Sequence, residues 1–427
     1  VTSKTFAELE GSIAISDELG ELACTTEREN LVHIEREHYL PVRDSSGPVH
    51  LCYIVIPAPV GANPSFDLGY EEKGLNGSGM TFLPLFGERL ERSSSEIGTS
   101  GQKRDTRWKV TVDWDSSALP ADCRCIWTFG EGRVTIISDP SVLQETFYYA
   151  GEMLSEEHEP FGFYWLDYPD LRLETTAQKA LNISRSRAAF FEDTGEAYRI
   201  FARRGPCTKL GGTALTRSYQ FIYTSGIMPD PDDVTLLFAH EMVHNWSKMD
   251  DEPFGTATWF VEGTAEYYSV LIPWRSEHIT RDELVRELNR RAAGYYENPY
   301  IGVPNNDVGR QLFSDRDLTR IPYGRGFFYL LRTDAQIRNA TEGRMCLDDI
   351  VLPLVRAARS GRLPGNTEWL NLLTPVLGSR AEEAFRTMQT GGVIEPAADC
   401  YEGAVTLRKT VGTVRGTDRP CELWQFV

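Results

Sequence analysis

The sequence predicts an α+β protein: a β-rich N-terminal domain, then a mostly helical domain, then a short β appendage. Three observations predict it. A chain of 427 residues is too long for one ordinary hydrophobic core, so two or three domains are expected. The first 140 residues hold short alternating segments, such as His50–Ile56, 108–114 and 133–137, separated by Gly, Pro and Ser clusters. At Ser141 the texture changes: Ser141-Val-Leu-Gln-Glu reads as a capped helix start, and helical patterns dominate from there to residue 390. The expected partition is therefore 1–140, 141–390 and 391–427.

Within that frame, 92–107 is rich in Ser, Gly and charge and reads as an exposed loop. Strands are expected at Phe161–Leu166, 198–203 and 217–224, with a helix near Ala188. The last of these strands alternates Tyr219, Phe221 and Tyr223 on one face. Residues 400–427 read as a hairpin that a bridge between Cys400 and Cys421 would close.

Composition removes several function classes. Hydrophobic residues make up 41% and charged residues 25%, the balance of a globular protein, and 11% aromatics argue against extensive disorder. No apolar run approaches the roughly 18 residues of a membrane helix, so no membrane partner is expected. The formal charge of −18, without a Lys/Arg stripe, repels phosphate backbones and argues against nucleic acid. The same acidity favours cationic peptides as ligands.

Eight cysteines, an even number, are compatible with disulfides, and none of their spacings matches a thiolate zinc cluster. Cys123 and Cys125 share a strand face and would bond to different partners. Four sequons, at Asn76, Asn182, Asn245 and Asn339, add to the expectation of a secreted, disulfide-bonded glycoprotein. Asn76, read as lying in a loop, is the expected glycan site, whereas Asn245 lies too close to the motif described next. A signal peptide is expected ahead of Val1.

The chemistry sits in Asp230-Pro-Asp-Asp-Val-Thr-Leu-Leu-Phe-Ala-His-Glu-Met-Val-His-Asn-Trp. Asp230 can cap a helix, Pro231 suits its first turn, and Asp232 and Asp233 complement its positive end. Val234, Leu237 and Phe238 form the apolar stripe that buries it. His240 and His244 then lie one turn apart on one face, so both imidazoles can reach one metal ion. Glu241 is placed to take a proton from metal-bound water. Catalytic zinc usually takes three protein ligands. The next helix, expected to be capped by Thr256, supplies Glu262 among Trp259, Phe260, Val261 and Tyr267, where a carboxylate without a partner would be costly. Glu262 is therefore the expected third ligand, and Glu266, one turn on, the group that orients a histidine ring.

This constellation resembles the gluzincin metallopeptidases. Trp259-Phe-Val-Glu-Gly-Thr-Ala-Glu-Tyr looks like the Glu-Gly-x-x-x-Tyr segment of aminopeptidase N, leukotriene hydrolase and, more closely, the glycyl aminopeptidases. His244-Asn-Trp246 is similar to the His-x-Trp of that last family. Ile321-Pro-Tyr-Gly-Arg-Gly resembles its Tyr-x-Lys-Gly helix, with Arg325 in place of Lys, and Cys346-Leu-Asp-Asp-Ile continues the likeness. The resemblance runs from about residue 145 to 380. It implies a thermolysin-like catalytic domain, a Zn2+ cofactor, a peptide or protein substrate, and Tyr323 as the phenol beside the tetrahedral intermediate.

Two departures qualify it. Seventeen residues lie between His244 and Glu262, a shorter connection than the glycyl aminopeptidases lead one to expect. The segment resembling their amine-binding strand is Gly211-Gly-Thr-Ala-Leu, which carries Gly211 and Gly212 over as substrate-binding but puts Ala214 where the amine-binding Glu should fall. The expected activity is a secreted, aminopeptidase-like zinc metallopeptidase. An endopeptidase on the same scaffold, another zinc hydrolase reaction such as epoxide opening, and a non-catalytic peptide-binding protein remain as alternatives.

Overall fold

The computed structural model describes residues 2–3, 8–31, 34–59, 66–84, 107–168, 173–193, 195–205, 210–224, 231–251, 255–310, 315–397 and 400–427. Asp230, Cys207 and nearly all of the expected loop at 92–107 lie outside those residues. No described helix is long and apolar enough to cross a membrane.

The chain divides into two compact units. One comprises Val1–Gln178 with Glu196–Pro231, the other Lys179–Gly195 with Asp232–Val427. Strands on both sides of residue 141 thus share the first unit, and the C-terminal hairpin belongs to the second.

The first unit is built on a ten-stranded sheet. Its order across the long path is Gly211–Leu215, Ser218–Thr224, Tyr198–Gly205, Phe161–Leu166, Phe147–His158, Gly74–Ser78, Gly69–Glu71 and Ala58–Pro59. The long strand Phe147–His158 organises it. Its first half pairs with Gly74–Ser78 and Cys123–Trp127, and its second half with Phe161–Leu166. Phe161–Leu166, Tyr198–Gly205 and Ser218–Thr224 run parallel. Such strands are covered on both faces, which is why Tyr219 to Tyr223 are buried without interruption rather than on one face only.

Several expectations fail. Ser141 opens no long helix. Asp139 caps a single 3-10 turn, Pro140–Leu143, and the aromatic run Phe147-Tyr-Tyr enters the sheet. A cap motif is a local signal, and cross-strand pairing with three neighbours outweighs it. Asn76 is not in a loop: it is fully buried in strand Gly74–Ser78, where no glycan fits. Asn182 and Asn339 are the exposed sequons. Cys123 and Cys125 are free thiols, as are Cys24, Cys52, Cys346 and Cys421, so the expected bridge between Cys400 and Cys421 is not formed.

The helices are α1 (Glu174–Phe190), which straddles the boundary between units, then α2 (Pro231–Val243), α3 (Thr258–Arg275), α4 (Arg281–Tyr296), α5 (Asn305–Arg310), α6 (Arg316–Thr319), α7 (Ile321–Ala340), α8 (Asp348–Arg359), α9 (Asn366–Leu377) and α10 (Ser379–Gln389). A Thr280/Glu283 capping box starts α4. Thr256 does not cap α3. The carboxylate of Asp251 takes the backbone N–H groups of Gly255 and Ala257 and the Thr258 hydroxyl instead.

Helices α3 and α7 form the centre of the second unit. Gly263 and Gly326 meet at their crossing: a Cβ on Gly263 would lie 2.6 Å from the Gly326 backbone, and one on Gly326 would collide with the Trp259 carbonyl. Trp259 and Trp369 pack edge-to-face at 5.4 Å beneath that crossing, and each indole N–H is satisfied, by Asn366 and Tyr329 respectively. The C-terminal strands Leu407–Thr413 and Pro420–Phe426 form the expected hairpin. Asn289 of α4 holds its last strand through two hydrogen bonds to the Phe426 backbone.

Candidate active site

Helix α2 is seated from behind. Val234, Phe238, Ala239, Met242 and Val243 are buried, and Arg187 donates through Nε to the Ala239 carbonyl at 3.1 Å. The helix ends at Val243, so His244 is the first residue of the turn that follows, fixed by the Asn245 and Trp246 backbone bonds. Trp246 stacks on Phe191 at 4.9 Å, and its indole donates to Asp193 at 2.8 Å. These contacts tie down the turn that carries His244.

Among the described residues, His240, His244 and Glu262 form the group whose donor atoms converge closely enough for a metal. Nε2 of His240 lies 3.2 Å from Nε2 of His244, and Glu262 Oε2 lies 3.4 and 3.5 Å from them. A tetrahedral zinc with bonds of about 2.0–2.1 Å requires ligand atoms about 3.3–3.4 Å apart. The triangle has that size. Glu262 Oε2 is buried with no hydrogen-bond partner, as expected of an atom aimed at a cation. The donor set of two imidazoles and one carboxylate therefore fits zinc.

Glu266 stands behind His240, its Oε1 3.6 Å from Nδ1. It is fixed in turn by Arg291 of α4, whose Nε lies 2.6 Å from Glu266 Oε2 and which also meets Glu287 and the Ser269 hydroxyl. Burial would raise the Glu266 carboxyl, but Arg291 first, then His240, Arg290 and Arg320, together hold the group down to about 2. Burial pushes His244 down to about 4. Glu241 goes the other way, up to about 7, chiefly through burial. A carboxylate in that range can both take and return a proton near neutral pH.

Tyr323 sits in the first turn of α7, its ring parallel to that of His240 at 5.8 Å. Burial, reinforced by the Glu262 carboxylate, pushes its phenol far above the usual tyrosine range, so it stays a hydrogen-bond donor. Arg325, two residues on, is fully buried and binds Asn305 and the Ile301 carbonyl, which makes it a brace for the segment before α5 rather than a site residue.

The structure thus brings together His240, His244, Glu262, Glu266, Glu241 and Tyr323. Gly211 and Gly212 lie in the first unit, on the edge strand Gly211–Leu215, opposite Ile222 and Phe221, and Ala214 faces Tyr219 across the same pair. Sequence reasoning missed Arg291, Asp251 and the Gly263–Gly326 contact. Only the last left a signal, in the glycines that follow Glu262 and Arg325.

No family model and no curated protein matches the sequence. Solved structures do. An aminopeptidase N family protein from Idiomarina loihiensis superposes with a TM-score of 0.67 at 12% identity, over 96% of this chain and 73% of that one. An M1 zinc metallopeptidase from Deinococcus radiodurans, solved as a mutant bound to a Tyr-Ser-Ala substrate, gives 0.57 at 15% identity over 93% and 87%. A two-domain M1 zinc metallopeptidase mutant bound to L-arginine gives 0.55 at 15% identity over 93% and 87%. The chain has the M1 metallopeptidase fold. The expected gluzincin architecture, a β-rich N-terminal region followed by a helical domain with the metal motif, is therefore the one present.

Proposed function

We propose that this M1-fold protein is a zinc-dependent metallopeptidase that removes residues from the N-termini of peptides. The ligand triangle carries this reading, because its edges suit a tetrahedral ion, with Glu241 next to His240 in the chain and Tyr323 stacked on the His240 ring. Zinc, when bound, supplies a Lewis acid that polarises the scissile carbonyl and acidifies water. Glu241 takes the proton of the attacking water and returns it to the leaving amine, a task suited to a carboxylate raised to about 7. Tyr323 donates a hydrogen bond to the oxyanion as it develops, from a ring held parallel to His240. Glu266, backed by Arg291, keeps the His240 ring oriented. A secreted setting is part of the proposal and is supported by the exposed sequons at Asn182 and Asn339.

Ala214 favours a second reading, an endopeptidase on the same scaffold, because no carboxylate stands at that strand position to hold a substrate amine. One experiment tests both: incubation with a peptide library, half free and half acetylated at the N-terminus, read by mass spectrometry with Glu241→Gln as blank. Single residues lost from free peptides alone support the aminopeptidase. Internal cuts in both halves support the endopeptidase. Cleavage that survives Glu241→Gln, while zinc stays bound, refutes the mechanism.

A further inference from the structure

The pocket beside Tyr323 carries a charge opposite to that of the chain. It measures ≈ 620 Å³, within the roughly 300–1,000 Å³ of ordinary ligand sites. Its walls bring Arg290, Arg291, Arg316, Arg320 and Arg415 together with Glu266 and Asp317, in a protein whose formal charge is −18. Three of these arginines are already held by carboxylates: Arg291 by Glu266, Arg290 by Glu287 at 2.8 Å, and Arg415 by Asp317. The side chains of Arg316 and Arg320 make no hydrogen bond or ion pair among the described residues, and both residues are exposed. Arg320 is placed by the ring of Tyr323, with its guanidinium 4.8 Å from the ring centre. Tyr323 and Glu266 belong to both the pocket and the metal centre, so whatever fills the pocket lies one side chain from the His240 ring.

We propose that Arg316 and Arg320 bind a carboxylate of the substrate, so that the enzyme prefers peptides that bring an acidic side chain or a free C-terminus beside the cleaved bond. This rests on the peptidase reading above. A guanidinium presents a planar fork that matches a carboxylate with two parallel hydrogen bonds. The flanking Arg290 and Arg415 do not compete for the incoming carboxylate, because their own acids already hold them. The sequence's overall acidity pointed to cationic ligands, and the local arrangement reverses that expectation.

The test uses paired short peptides, Glu against Gln at each position and free acid against amide at the C-terminus. Binding is measured by calorimetry to the zinc-loaded Glu241→Gln protein, which leaves peptides intact, and cleavage is measured with the unaltered protein. The expected result is about tenfold tighter binding of one acidic member of a pair, reduced to near equality in Arg316→Gln/Arg320→Gln and weakened by added salt. A Glu/Gln preference identifies the side chain as the source, and an acid/amide preference the C-terminus. Equal binding within every pair, or no binding of any peptide, overturns the proposal. So does an equal loss for all peptides in the double variant, which would make Arg320 a support for Tyr323 instead. Selective binding without any cleavage would keep the pocket and overturn the peptidase reading.

Discussion

The metal centre and the arginine pocket share two side chains yet follow opposite electrostatic rules. At the centre the side chains are locked on one another: Glu262 lies against two imidazoles, Glu266 against Arg291, and Arg291 against Glu287 as well. In the pocket two guanidiniums are left open to solvent. The difference teaches how to separate groups that hold a permanent occupant from groups that wait for a transient one. A permanent ion repays the desolvation of its ligands continuously, so they can be buried and locked. A substrate arrives and leaves, so its partner must remain hydrated in between.

Substitutions can break that contrast in decreasing steps. Glu262→Gln removes a charged ligand and should cost more zinc affinity than the 10–100-fold typical of an outer partner, as read by competition with a chelator. Retention of zinc at full affinity would remove Glu262 from the ligand set. Glu266→Gln should cost about 10–100-fold in zinc affinity and, by leaving the buried Arg291 with Glu287 as its one remaining carboxylate, should also lower stability in denaturant titration. Adding Arg291→Met should restore the stability but not the affinity, and recovery of both would show that Glu266 acts only as an ion-pair partner. The smallest effect is expected from Gly326→Ala. The added methyl must part α3 from α7, at about 1–3 kcal/mol of stability, with catalysis falling more than zinc binding because Tyr323 moves relative to the metal ligands.

What could be read in the sequence follows from how local each signal is. His240 and His244 were legible because one helical turn places both on one face, and Glu262 because a carboxylate among Trp259, Phe260 and Tyr267 needs a reason to be there. The strands Phe161–Leu166 and Ser218–Thr224 were legible from their aromatic runs. The long strand Phe147–His158 was not, since Ser141 and Glu145 imitate a helix start and the three pairings that decide the matter come from distant sequence. Asn76 failed in the same way, because its Gly-rich neighbourhood looks like a loop until Phe147–His158 pairs with it. Arg291 and Asp251 act through partners 25 and six residues away, at Glu266 and Ala257, and nothing in their own neighbourhoods marks them. The arginine pocket gathers side chains from α4, α6, the start of α7 and the C-terminal hairpin, a set that no window of sequence brings together.

The crossing of Gly263 and Gly326 is a joint without clearance. Because backbone rests on backbone there, the approach of α3, which carries Glu262, to α7, which carries Tyr323, is limited by main chain and not by the fit of replaceable side chains. The reacting geometry is therefore insulated from changes in the surrounding walls. Under the proposed function, pocket residues on α4, on α6 and in the hairpin can be exchanged while the two helices that carry Glu262 and Tyr323 keep their separation.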